Sequence, residues 1–153
     1  MIKEVEGNLL DEELDIIAHQ VNCLGIMGAG IALQIKNKYP EVYKEYKRAS
    51  ERIPMQELLG RSQIIFVERE GKFVANIFSQ QRIGKGRQTN YEALKEGLIE
   101  LKNFAKKNNY SVGLPYKIGC GLAGGDWGVV RKIIDQAFYD YEVTIVKLKQ
   151  KEK

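Results

Sequence analysis

The chain is poor in the side chains from which metal centres and disulfide frameworks are built: one histidine and two cysteines in 153 residues. His19, Cys23 and Cys120 come with no evident fourth ligand, so no metal site and no cofactor are expected. Two cysteines so far apart in sequence fit a reducing compartment and exclude a disulfide scaffold. No apolar run approaches the roughly 20 residues that span a bilayer. The opening Met1-Ile2-Lys3-Glu4-Val5-Glu6 lacks a secretory core, so a cytoplasmic protein with no membrane partner is expected. Basic residues outnumber acidic ones by only 24 to 20 and are scattered, without an aromatic RNA-reading pattern among them. Internal repeats and linker-like stretches are also missing. One domain over residues 1–153 is expected, folded to about residue 148, with a charged tail over 149–153.

What is present is an ordinary globular balance, 44% apolar and 29% charged, in a chain long enough to bury a core. Apolar periodicity predicts a first strand that starts at Ile2 and ends at Gly7-Asn8, and further strands over 15–21, 61–67, 72–78, 111–115 and 143–148. Helices are predicted over 31–38, from Pro40 onward, from Tyr91 onward and from Asp126 onward. Thr89-Asn90-Tyr91-Glu92 has capping-box spacing. Glu68-Arg69-Glu70-Gly71 reads as a hairpin turn, and the polar stretch 79–88 as a mobile loop. Strands alternating with helices around one hairpin predict an α/β protein, with a mixed, mostly parallel sheet and helices on both faces.

Two glycine-rich corners stand out. Asn22-Cys23-Leu24-Gly25-Ile26-Met27-Gly28-Ala29-Gly30-Ile31-Ala32 leaves a buried strand for a helix. Gly119-Cys120-Gly121-Leu122-Ala123-Gly124-Gly125-Asp126 does the same near the other end of the chain. The first lacks the dinucleotide spacing G-x-G-x-x-G, its glycines standing at Gly25, Gly28 and Gly30, and no Gly-Lys-Ser/Thr closes it. Each alone is compatible with a tight turn. Together, at strand-to-helix corners where backbone N–H groups and a helix dipole face outward, they predict a ligand with two anionic groups, a diphosphate.

Gly7-Asn8-Leu9, the first corner, and the run Pro115-Tyr116-Lys117-Ile118-Gly119-Cys120-Gly121-Leu122-Ala123-Gly124-Gly125-Asp126-Trp127 together resemble a macrodomain. The resemblance extends from Val5 to about Leu148. It is closest to the Appr-1″-p processing branch that holds the yeast ADP-ribose 1″-phosphate phosphatase and the human terminal ADP-ribose protein glycohydrolase. It implies a three-layer α/β/α fold that binds ADP-ribose. Gly28, Ala29, Gly30 and Ile31 would then wrap a phosphate and the distal ribose, with Met27 beside them and Asn22 facing that ribose. Gly119, Cys120, Gly121 and Leu122 would reach the diphosphate from the other side. Asn8, with Leu9, would meet the adenine, its amide oxygen accepting from the amino group. Trp127 and Phe78 are the candidates for stacking on it.

Relatives that remove ADP-ribose from glutamate use a lysine where this chain has Gln80, and an acid where it has Ala123. A glutamine amide cannot form the sugar adduct that an amine can. The remaining catalytic candidates are His19 as general acid, Asp126 as base and Asn22 as an orienting group. The expected function is hydrolysis of a group from the distal ribose, as in ADP-ribose 1″-phosphate. The alternatives are a non-catalytic ADP-ribose reader and a lysine-independent hydrolase acting on ADP-ribosylated protein or nucleic acid.

Overall fold

Ile16 to Asn22 is a run in which every residue but Gln20 is buried, and it forms β2 (Ile16–Asn22) at the centre of the sheet. A strand covered on both faces requires a layer of helices on each side. In the computed structural model, which describes residues 1–149, that is the arrangement found. The sheet order is β1 (Ile2–Glu6), β6 (Val143–Lys147), β5 (Val112–Pro115), β2, β4 (Lys72–Gln80), β3 (Ser62–Val67). All neighbours pair in parallel except β3, the antiparallel edge strand joined to β4 by the hairpin. Gly71 closes that hairpin with φ 63°.

On one face lie α4 (Tyr91–Asn108) and α5 (Trp127–Ala137). Leu94, Leu98 and Leu101, one apolar stripe of α4, are fully buried against Ile16, Ala18 and Ile77. Burial at this level stabilises by about 1.5–3 kcal/mol per leucine. The other face carries α1 (Gly30–Lys38) and α2 (Pro40–Arg52), the latter with proline in its first turn. Ile35, Tyr39 and Val42 cover Ile17 and Val74 there, and Tyr46 packs on Phe78 and Met27. A short helix α3 (Met55–Leu58) follows.

Three local departures from the sequence expectation have physical causes. The first strand ends at Glu6, just short of the expected Gly7-Asn8, because Asn8 caps a 3₁₀ turn over Leu9–Asp11 that buries Leu9 and Leu10. The cap of α4 is Asn90, whose Oδ1 accepts from Ala93 N at 3.0 Å. Thr89 is unavailable for that role, since its hydroxyl donates to Gly119 O at 2.6 Å.

Residues 81–87 form the expected exposed loop, but both ends of the stretch 79–88 are tied down. Ser79 and Gln80 complete β4, and the backbone N–H groups of Gln88 and Thr89 both donate to Ala123 O, at 2.7 and 3.2 Å. Residues 150–153, and with them most of the expected charged tail, lie outside the described residues. No described helix is long and apolar enough to cross a membrane.

Candidate functional site

Five parallel strands end at one edge of the sheet, and a cleft of ≈ 1110 Å³ opens there. This is where open α/β sheets place their ligands. Gly28, Ala29, Gly30, Ile31 and Ala32 form one wall, and Gly119, Gly121, Leu122 and Ala123 form the facing one. The first wall runs into α1, whose cap residue Ala29 supplies no side-chain hydrogen bond. The initial N–H groups of that helix, with the positive end of its dipole, therefore remain available to a ligand.

The first loop is held open by Asn22. Its Oδ1 accepts from Leu24 N at 3.0 Å and from the Tyr46 hydroxyl at 2.6 Å, and its Nδ2 donates to Ile26 O at 2.8 Å. Gly25 and Gly30 turn the chain at φ 80° and 56°, a region that favours glycine.

The second loop is fixed from below. Gln20 donates to Gln80 Oε1 at 3.0 Å and to Thr89 Oγ1 at 2.9 Å, and accepts from Ser79 Oγ at 2.7 Å. Thr89 in turn donates to Gly119 O. Gly119 has φ 74°, and a Cβ there would lie 2.8 Å from Gln20 Oε1. Both the backbone and the available space demand glycine. Gly125 N closes the loop on Gly119 O at 2.9 Å. The lining carries two lysines, Lys117 and Lys147, and neither a carboxylate, an imidazole nor a thiol among the described residues. Polar amides and ammonium groups around apolar walls suit a neutral base and an anionic middle section.

A family model described as the Macro domain matches residues 18–134. The chain is a member of the macrodomain family. It is 31% identical over 144 residues to a DNA ADP-ribosyl glycohydrolase of Thermus aquaticus, covering 90% of this chain and 38% of that protein. This macrodomain thus spans well under half of that relative. It is 28% identical over 154 residues to the human ADP-ribose glycohydrolase OARD1, covering 96% of this chain and 91% of the human one. Among solved structures, the macrodomain of Mycobacterium tuberculosis DarG superposes with TM-score 0.82 at 29% identity, with 99% of each chain covered.

Within the macrodomain, the cleft gathers Asn8, Leu9, Asn22, Gly28, Ala29, Gly30, Ile31, Gln80, Gly119, Gly121 and Leu122 from the expected set. Asn8 Oδ1 accepts from Leu10 N at 3.1 Å, which leaves one lone pair for a ligand. Gln80 caps the floor, donating to Arg82 O at 2.9 Å.

Four expected residues stand elsewhere. His19 is fully buried on the α1/α2 face, three residues back from the end of β2, or about 10 Å along the strand. Its Nε2 donates to Asn76 Oδ1 at 2.6 Å, its Nδ1 has no partner, and burial pulls its pKa down to about 4. A neutral, enclosed imidazole cannot be the general acid of the cleft. Asp126 caps α5, accepting from Val129 N at 3.1 Å, and is not part of the lining. Met27 is buried beneath its loop against Tyr46 and Phe78. Cys120 turns its thiol toward Ile118 O at 3.4 Å.

The expected adenine partners are also displaced. Phe78 is buried, and Trp127 packs edge-on against Tyr116 at 5.1 Å. Tyr116 is the aromatic residue that lines the cleft, with Val146, Lys147 and Leu148 beside it. Sequence reasoning missed these and Gln20. For Gln20 a signal existed: it is a polar residue in a largely apolar run, two residues before the glycine corner.

Proposed function

We propose that this macrodomain binds ADP-ribose in the cleft, with adenosine toward Asn8 and Leu9 and the distal ribose toward Asn22 and Gln80. The diphosphate lies between the backbones of Gly28–Ala32 and Gly119–Leu122. One observation carries this reading: two glycine loops, each held in place by buried side chains, face one another across a cleft that has lysines and, among the described residues, no carboxylate in its lining. The experiment is titration of isotopically labelled protein with ADP-ribose. The amide signals of Gly28 and Gly121 shift together. If both stay in place at millimolar excess, the reading falls.

A second reading adds turnover, removal of a group from C1″ of the bound ribose. It is supported by two relatives, each aligned with 90% or more of this chain, that are named glycohydrolases. Among the described residues the lining offers no acid, imidazole or thiol, so catalysis here consists of holding the diphosphate rigidly and presenting C1″ to a water molecule. Release of phosphate from ADP-ribose 1″-phosphate, or of ADP-ribose from modified DNA or protein, tests it and separates the substrates. Tight ADP-ribose binding with no release from any of these substrates selects a reader.

A further inference from the structure

Among the described residues, only two that are not glycine adopt a positive φ: Asn109 at 58° and Lys117 at 59°. Asn109 is accounted for, because it ends α4 as the C-cap, where asparagine is the usual substitute for glycine. Lys117 ends no helix. It sits in the tight turn between β5 and the second glycine loop, where Ile118 N donates to Pro115 O at 3.1 Å and Cys120 N to Lys117 O at 2.9 Å. Glycine would make this turn without the steric penalty that a lysine carries, and Gly25, Gly30, Gly84 and Gly119 meet the same demand elsewhere around the cleft. The turn alone therefore does not call for lysine. What lysine adds is its side chain.

Lys117 is a lining residue of the cleft. Among the described residues Lys117 and Lys147 are the two cations of its lining, with ammonium groups 5.7 and 4.7 Å from the centre of the Tyr116 ring. Lys117 forms no ion pair among the described residues. An outlying backbone conformation at a cleft is a place where strain is kept for function. Here the strained residue is also a cation without a counter-ion.

Resting on the reading that the cleft takes ADP-ribose, we infer that Lys117 is a ligand-binding residue whose ammonium group meets the anionic section of the nucleotide. Its strained backbone holds that charge at the mouth of the second glycine loop. The contact is electrostatic, so it favours phosphate-bearing ligands over the bare nucleoside and weakens as salt rises.

The test measures ADP-ribose and adenosine binding by calorimetry at two salt concentrations, for wild type and for Lys117→Gly, Lys117→Asn and Lys117→Arg. Glycine and asparagine both accept a positive φ, so these variants fold, and the melting temperature of Lys117→Gly does not fall. Expected is a loss of about tenfold in ADP-ribose affinity for the two neutral variants. The salt dependence shrinks with it, adenosine binding is unchanged and Lys117→Arg retains affinity. If Lys117→Gly binds ADP-ribose within twofold of wild type, or if adenosine binding falls equally, the role of Lys117 is overturned while the cleft assignment stands. If wild type binds no ADP-ribose, both fall together.

Discussion

The hydroxyl of Tyr46 donates to Asn22 Oδ1 across 2.6 Å, joining the middle of α2 to the last residue of β2. The same oxygen atom of Tyr46 accepts from Ile26 N at 3.1 Å. Asn22, which faces the cleft, is thereby committed to shaping the loop around it. Its amide retains one N–H that is free to donate to a ligand.

Tyr46→Phe removes this tie while leaving the ring packed on Phe78. The buried Asn22 Oδ1 keeps Leu24 N as a partner, so the expected cost is about 1–2 kcal/mol in urea unfolding. ADP-ribose affinity drops as well, because residues 23–28 lose their anchor. A variant with unchanged stability would show that the bond contributes nothing.

Gly121 separates folding from binding. Its φ is not in the left-handed region, and a Cβ there would meet nothing within 4 Å. Gly121→Ala therefore leaves the melting temperature at or slightly above wild type. The methyl group enters the space assigned to the ligand, so ADP-ribose affinity falls at least about tenfold, on the order of 1.4 kcal/mol. Unchanged affinity would place the ligand away from this wall.

His19 governs stability in acid, not the cleft. Its folded pKa, near 4, lies below the ordinary 6.5 because burial disfavours the imidazolium. Between these values the unfolded chain binds the extra proton, so stability is full above about pH 6.5 and falls progressively as pH drops toward 4. The expected loss is on the order of 3 kcal/mol. His19→Gln flattens that pH dependence in denaturant titrations and leaves ADP-ribose affinity at pH 7.5 unchanged.

The thiols should be slow to react. Burial pushes the Cys23 thiol up to about 11 and raises that of Cys120 as well. Ellman's reagent at pH 7.5 is expected to label Cys23 only after unfolding and Cys120 slowly. Rapid labelling of Cys23 in the native protein would contradict its packing under the first loop.

Much of the fold is legible because the local signals agree with one another. The apolar stripe of α4, the proline opening α2 and the glycine at each strand-to-helix corner all point to the observed elements. α3 escapes notice because four residues after Pro54 are too few to show a helical period. His19 misleads for a geometric reason: β2 is buried on both faces, so apolar alternation does not reveal which side chains reach its end. Only the distance from the carboxyl end of the strand does. Tyr116, Lys117 and Lys147 are invisible as a group, since β5 and β6 lie far apart in sequence and meet only through sheet order. That Asn90 rather than Thr89 caps α4 is likewise set by a tertiary partner, the carbonyl of Gly119.

The carbonyl of Ala123, which receives two N–H groups from residues 88 and 89, has a consequence for how a nucleotide enters. It welds the segment after β4 to the second glycine loop, and the backbone of Gly86 and Arg87 comes so near Gly124 that a methyl group there would have 3.1–3.2 Å of clearance. Residues 86–89 are thereby fixed against that loop. This part of the cleft's rim is assembled when the chain folds, so a guest molecule would not have to order residues 86–89 on arrival, and its affinity would be spared that entropic penalty.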